Sequence, residues 1–395
     1  MDKSPQIAEL KPPQRTLMGP GPSDVDPRVL RAMAAPLVGH LDPAFLEIMN
    51  EAMELLRYVF ETKNQLTIPM SGTGSAGMET CFVNLIEPGD RVVVCVNGLF
   101  GERMADVAAR CGAEVARVEA PWGRTIDPAD ARKALRGGRP TKILAVVLAE
   151  TSTGVWQPLA ELERAAHEAG ALFLVDAVTA LGGIPVAIDA SRIDACYAGT
   201  QKCLSCPPGL APVTFNEEAR KVVRGRKGKV QSWYLDLNMI ENYWGKERFY
   251  HHTAPVTMVY ALRESLRLIA EEGLTARFER HAQNGAALHA GLEAMGLKLH
   301  AEAGHRLPVL TSVAVPDGVD DIAVRRALLN DFGIEIGGGL GPLKGRIWRV
   351  GLMGHTSRRQ NVALFLTALE GILGRLGFGV RPGAAWQAAT RVYGG

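Results

Sequence analysis

Lys202 stands in the stretch YAGTQKCLSCPPG (197–209) among small and polar residues, between an apolar run and the rigid Pro207-Pro208-Gly209. Asp176 closes a second apolar run, ALFLVD (171–176). Taken alone, an aspartate in that place reads equally well as a helix cap or turn former, and a lysine as an ordinary surface residue. Together, on the ends of consecutive strand-like runs, they supply an amine and an acid. A lysine amine condenses with an aldehyde, and a carboxylate keeps a pyridine nitrogen protonated so that the ring withdraws electrons. Those are the two protein groups that pyridoxal phosphate needs.

A phosphate needs backbone N–H groups at a helix N-terminus, with hydroxyls nearby. The stretch MSGTGSAGMETCFVNLI (70–86) offers Ser71, Thr73 and Ser75 among glycines ahead of an amphipathic pattern. Gly72, Gly74 and Gly77 also spell G-x-G-x-x-G, the fingerprint of a dinucleotide-binding turn. Its context argues against a nicotinamide-dependent dehydrogenase, the alternative reading, because Pro69 interrupts the preceding run and Asp90 precedes the next strand instead of ending it.

Cys203 and Cys206 form a lone C-x-x-C. A structural zinc site needs four ligands, and no second pair follows; the adjacent His251 and His252 should point apart. Pro207 and Pro208 forbid the helix that a thioredoxin-like motif opens, so both cysteines are expected to pack beneath the loop. We therefore expect no metal.

The elements that must position these groups show as an α/β rhythm. RVVVCV (91–96), KILAVVL (142–148), ALFLVD (171–176), ACYAG (195–199) and APVTF (211–215) alternate with helical patterns such as PLAELERAAHEAG. Unbroken apolar runs imply strands covered on both faces, hence a mostly parallel sheet whose ligands gather beyond the carboxyl ends of the strands. Those ends carry Glu150-Thr151-Ser152, Asp176 and Thr200-Gln201-Lys202.

With 395 residues, 47% hydrophobic and 22% charged, the chain can build a large domain and a smaller one. It has no long uncharged apolar run and no apolar leader near its start, so no membrane role and a cytoplasmic location are expected. A net charge of +2 gives no reason to expect nucleic acid, and the basic stretch ARKVVRGRKGKV (219–230) reads as a solvated surface loop.

The stretches MGPGPSDVDPRVLRAM, SGTGSAGMET, ETSTGVWQPL, LVDAVTALGG, AGTQKCLSCPPG, FYHHTAPV and GIEIGGGLGPLKGRIWRVGLMG together resemble the class V aminotransferases of the alanine–glyoxylate and serine–pyruvate type, from about residue 16 to 375. The resemblance implies the aspartate-aminotransferase-like fold (PLP fold type I): an N-terminal arm (1–15), a large domain (16–270) with a mainly parallel seven-stranded sheet, and a smaller α+β domain (271–395). It implies a homodimer with shared active sites, acting on a small amino acid and a small 2-oxo acid. Lys202 would bind pyridoxal phosphate as a Schiff base and shuttle the proton, with Asp176 on the pyridinium nitrogen. Thr73, Gly74, Ser75 and Gln201 would surround the phosphate, joined by Tyr250 and Thr253 of the other subunit. Thr151 would touch the ring hydroxyl, and Arg349 would clamp the substrate carboxylate.

The role suits Arg349, since a guanidinium inside the apolar run IWRVGLM needs an anion and its planar fork matches a carboxylate; the alternative is a buried salt bridge with an acid of the chain. Two positions depart from the pattern, with Phe100 where many relatives stack tryptophan on the cofactor and Ser75 where many have histidine. Phenylalanine still offers a stacking face. Ureidoglycine, 3-hydroxykynurenine or pyridoxamine remain alternative donors. A cysteine desulfurase is disfavoured because no cysteine follows Cys206.

Overall fold

A computed structural model describes residue 5 and residues 7–394. Residues 1–4 and 6 of the expected N-terminal arm lie outside the described residues. Seven strands form the main sheet: β1 (Leu66–Ser71), β2 (Arg91–Val96), β3 (Glu114–Glu119), β4 (Thr141–Val147), β5 (Leu172–Asp176), β6 (Ala195–Tyr197) and β7 (Leu210–Phe215). Their spatial order is β1-β7-β6-β5-β4-β2-β3, and β7 alone runs antiparallel to its neighbours. This is the α/β architecture expected of PLP fold type I. Every residue of β2 and β7 is buried, as helices on both faces require.

The two outer strands are the ones that apolar runs do not announce. In β3, EVARVE, only Val118 is buried, because an edge strand keeps charges toward water. β1 contains Pro69, which interrupts the apolar run without ending the strand. Pro69 lies opposite Pro212, whose carbonyl points away to accept the Ala198 N–H. The proline pair is thus a non-hydrogen-bonded one, and the donor that Pro69 lacks would have faced the open edge. The strand–glycine–helix context of a dinucleotide fingerprint is therefore present locally. It fails at the level of topology, since β1 pairs only with β7 and never lies beside β2.

A second, three-stranded sheet of order β8-β10-β9 joins β8 (Leu310–Ala314), β9 (Gly337–Gly338) and β10 (Ile347–Gly351), all antiparallel. Its core around Trp348, Leu288 and Leu366 is separate from the core of the main sheet. The N-terminal strand Thr16–Leu17 pairs with Ile334–Glu335, and Met18 is buried in this second core. The stretch at 219–230 is not all loop: Glu217–Arg224 is a helix, capped by the Asn216 side chain, with Ala219 and Val223 one turn apart facing the core.

Candidate active site

Three chemical groups arrive at the carboxyl edge of the main sheet because β4, β5 and β6 are parallel neighbours. Asp176 ends β5 fully buried; one oxygen accepts the Val178 N–H at 2.8 Å and the other the Tyr197 hydroxyl at 2.7 Å. Burial pushes its carboxyl up to about 7, nearby Glu150 adds to the rise, and both hydrogen bonds oppose it. An acid this reluctant to ionise favours a cationic partner. Tyr197, at the end of β6, escaped the sequence reading; alternation alone marks it only as a core residue.

Lys202 follows β6 in a loop held from several sides. Its carbonyl accepts the Ser23 hydroxyl at 2.8 Å and the Ser205 N–H at 2.9 Å, while its Nζ donates to the Pro20 carbonyl. Gly21 packs so closely on the lysine stem that a Cβ there would lie 2.7 Å from Nζ. Burial first, and Arg349 second, push the amine down to about 8. Cys203 and Cys206 are buried under this loop, and the Cys203 thiol donates to the Thr179 carbonyl at 3.2 Å. Burial raises both thiols, Cys203 to about 12, so neither is a ready nucleophile.

An amine becomes a nucleophile when it loses its proton, so the depressed value has a direct consequence. Covalent capture of pyridoxal phosphate by the cofactor-free protein should accelerate with pH through about 8 and then level, instead of climbing toward 10.5. Absorbance of the adduct against pH checks this, and a rate still rising steeply beyond pH 9 would contradict it.

On the anion side, Thr73 is the N-cap of helix α1 (Gly74–Leu85), yet its side chain makes no capping bond, and Thr73 and Ser75 are both exposed. Gly74 and Gly77 let the helix sit tightly on the sheet edge: a Cβ at Gly74 would lie 3.0 Å from Val178, and one at Gly77 3.1 Å from Tyr197. Among the described residues the buried Gln201 Oε1 has no hydrogen-bond partner. Tyr250 and Thr253 are exposed, their hydroxyls 3.5 Å apart, with no hydrogen bond to the other predicted phosphate residues. The neighbouring histidines do not diverge as expected. His251 Nδ1 lies 2.7 Å from His252 Nδ1, and His252 Nε2 reaches the Ser71 hydroxyl at 3.1 Å. Even so, the described residues contain no group of His, Cys, Asp or Glu arranged to hold a metal.

Thr151 is buried, with its hydroxyl 3.2 Å from that of Thr179. Phe100 opens helix α2 (Leu99–Arg110), partly exposed, with the Arg103 guanidinium 5.1 Å from its ring centre. Arg349, in β10, is buried; its Nε donates to the Gly338 carbonyl at 2.8 Å and its Nη1 to the Thr151 carbonyl at 3.3 Å. No carboxylate of the described residues lies within 4.0 Å, so the salt-bridge alternative is not realised. Burial pushes the guanidinium down to about 10. This is a half-satisfied cation, and its Nη2 makes no hydrogen bond among the described residues. The donor set suits pyridoxal phosphate: an amine for the aldehyde, a buried acid for the ring nitrogen, and an uncapped helix end for the phosphate.

A mainly parallel sheet with a lysine and an aspartate at its carboxyl edge, met from the second sheet by an arginine with no carboxylate partner among the described residues, is the arrangement of pyridoxal-phosphate enzymes of fold type I. The sequence pattern described as Aminotransferase class-V matches residues 19–345. The chain is 46% identical to the (S)-ureidoglycine–glyoxylate transaminase of Bacillus subtilis, covering 98% of this chain and 97% of the relative. It is 41% identical to the alanine–glyoxylate aminotransferase of Callithrix jacchus, over 93% and 90%. The crystal structure of an alanine–glyoxylate aminotransferase from Nostoc sp. superposes with a TM-score of 0.91 at 51% identity, over 93% of this chain and 97% of that one. The chain belongs to the class-V aminotransferase family and is a pyridoxal-phosphate-dependent aminotransferase.

Proposed function

We propose that this enzyme moves the amino group of a small amino acid, alanine or serine, to a small 2-oxo acid, glyoxylate or pyruvate, in alternating half-reactions. The observation that carries the reading is the buried Arg349, which meets no carboxylate among the described residues and whose charge bears on the Lys202 amine, a cation suited to take one carboxylate. Pyridoxal phosphate, when bound, supplies an aldehyde and an electron-withdrawing ring that drains charge from the substrate Cα.

In this reading Lys202 would hold the cofactor covalently and would carry the Cα proton of the substrate. Asp176 would keep the ring nitrogen protonated, Phe100 would offer a stacking face, and Thr151 would hold the ring hydroxyl. Thr73, Gly74, Ser75 and Gln201 would bind the phosphate, and Arg349 would bind and orient the substrate carboxylate. Both substrate classes carry a carboxylate beside the reacting carbon, so one clamp serves both half-reactions. Residues 16–270 act as the cofactor domain, 271–395 as the domain bringing Arg349, and residues 1–15 as an arm.

A donor-by-acceptor screen on purified protein tests the reading. We expect alanine or serine with glyoxylate or pyruvate to give the highest turnover; no transfer from any small amino acid would overturn it. The Bacillus subtilis relative favours a second reading, with ureidoglycine as donor and glyoxylate as acceptor, which the same screen resolves.

Exposed Trp233, Phe249 and Tyr250 support a homodimer, with the partner subunit's Tyr250 and Thr253 completing the phosphate site. Tyr250→Phe should weaken cofactor binding by ~1.5–3 kcal/mol, one hydrogen bond to a charged group, and dilution to monomers should release cofactor. Gel filtration with cofactor absorbance reads both effects, and a fully active monomer would refute the shared site. The enzyme is expected to work in the cytoplasm; among the described residues no helix is long and apolar enough to cross a membrane.

A further inference from the structure

Glu150 is a fully buried acid at the same sheet edge, and none of the roles above uses it. One of its oxygens accepts the Ser152 N–H at 3.0 Å and the Ser152 hydroxyl at 2.6 Å, and the other accepts the Phe100 N–H at 3.1 Å. Helix α2 has no cap of its own, for its N-cap is Gly98, which lacks a side chain. Glu150 and Ser152, which follow β4, provide the cap from across the chain, since the Ser152 hydroxyl also accepts the Leu99 N–H at 2.9 Å. The carboxylate fills the place where a Cβ of Gly98 would stand, so glycine is the residue that lets it approach the helix end. A carboxylate at the positive end of a helix is favourable in itself and here fixes the first turn, from which Phe100 projects.

We propose that Glu150 is a positioning residue for the cofactor, acting through the backbone of Phe100 to hold that ring face against the pyridoxal ring. The inference rests on the reading of Phe100 as the stacking residue. A carboxylate can accept hydrogen bonds at both oxygens, whereas an amide must turn one N–H₂ toward a backbone N–H that then has no acceptor. Glu150→Gln is nearly the same size, yet it leaves one of the two backbone N–H groups, that of Phe100 or that of Ser152, without an acceptor and so loosens the cap from which Phe100 projects.

The test is a double-mutant cycle on affinity for pyridoxal phosphate, measured by fluorescence quenching of the cofactor-free protein. E150Q alone and F100A alone should each weaken binding by about tenfold, equivalent to about 1.4 kcal/mol. Because the glutamate acts through the ring, E150Q in the F100A background should add little. Ser152→Ala removes the hydroxyl that orients Glu150 and should show the same coupling to F100A, which keeps the test usable where E150Q does not fold. The wild-type near-ultraviolet and visible circular dichroism of the bound cofactor should also diminish in E150Q. Additive effects of E150Q and F100A would overturn the proposal, as would an F100A variant with wild-type affinity; both outcomes leave the Lys202 reading intact. A wild-type protein that binds no pyridoxal phosphate would instead overturn the reading of the whole site.

Discussion

Lys202→Ala should give a folded protein that still takes up pyridoxal phosphate, without a covalent link, and transfers amino groups at least roughly 10²–10⁴-fold more slowly than the wild type. That range is the cost of losing a general base alone. In the proposed mechanism the lost covalent exchange adds to it, because the same amine would hold the cofactor and move the Cα proton. The fold should tolerate the change, since among the described residues the side chain makes a single hydrogen bond, to Pro20, and its burial disfavours the charged form. A small added amine should restore part of the rate by entering the space left behind.

Asp176→Asn should behave differently. The Val178 N–H keeps its acceptor, while the Tyr197 hydroxyl loses a carboxylate. Cofactor capture by Lys202 should continue, with proton removal from Cα slowed. Rapid-mixing spectra with alanine separate the two variants, and a Lys202→Ala enzyme that turns over at the wild-type rate would show that another group carries the proton.

Arg349→Gln should lower kcat/KM for amino-acid and oxo-acid substrates by about 2–5 kcal/mol, the cost of truncating one partner of a buried charged pair. Glutamine also forfeits the guanidinium contacts with the carbonyls of Gly338 and Thr151, a loss common to every substrate, so the part specific to carboxylates is the charge and the free Nη2 edge. Amines without a carboxylate should be spared that part, which separates a substrate clamp from a structural role. Steady-state kinetics on alanine and on a simple alkylamine make the comparison. Equal losses on both would reassign Arg349 to holding β10 against the loop at Thr151.

How much of this was legible in the sequence follows from burial. β2, β4, β5, β6 and β7 announce themselves because strands covered on both faces show unbroken apolar runs. β3 does not, since an edge strand can carry Glu114, Arg117 and Glu119, and β1 is masked by a proline that costs nothing on an open edge. Lys202 and Asp176 could be found because each stands at the end of such a run. Glu150 could be placed at a strand end but not given a role, and Tyr197 could not be singled out, for what they do is hydrogen-bond to Phe100 and Asp176 across the sheet edge, and no local spacing encodes that. The convergence of His251 and His252 was missed for the same reason, since adjacency in sequence says little where a loop lets both rings turn inward.

The central claim is that Lys202 carries the cofactor. Borohydride reduction of the yellow holoenzyme, followed by digestion and mass spectrometry, tests it most directly. The account predicts one pyridoxyl-phosphate adduct per chain, on the peptide containing Lys202. A stable adduct on any other lysine, or full cofactor retention with no adduct at all, would contradict it.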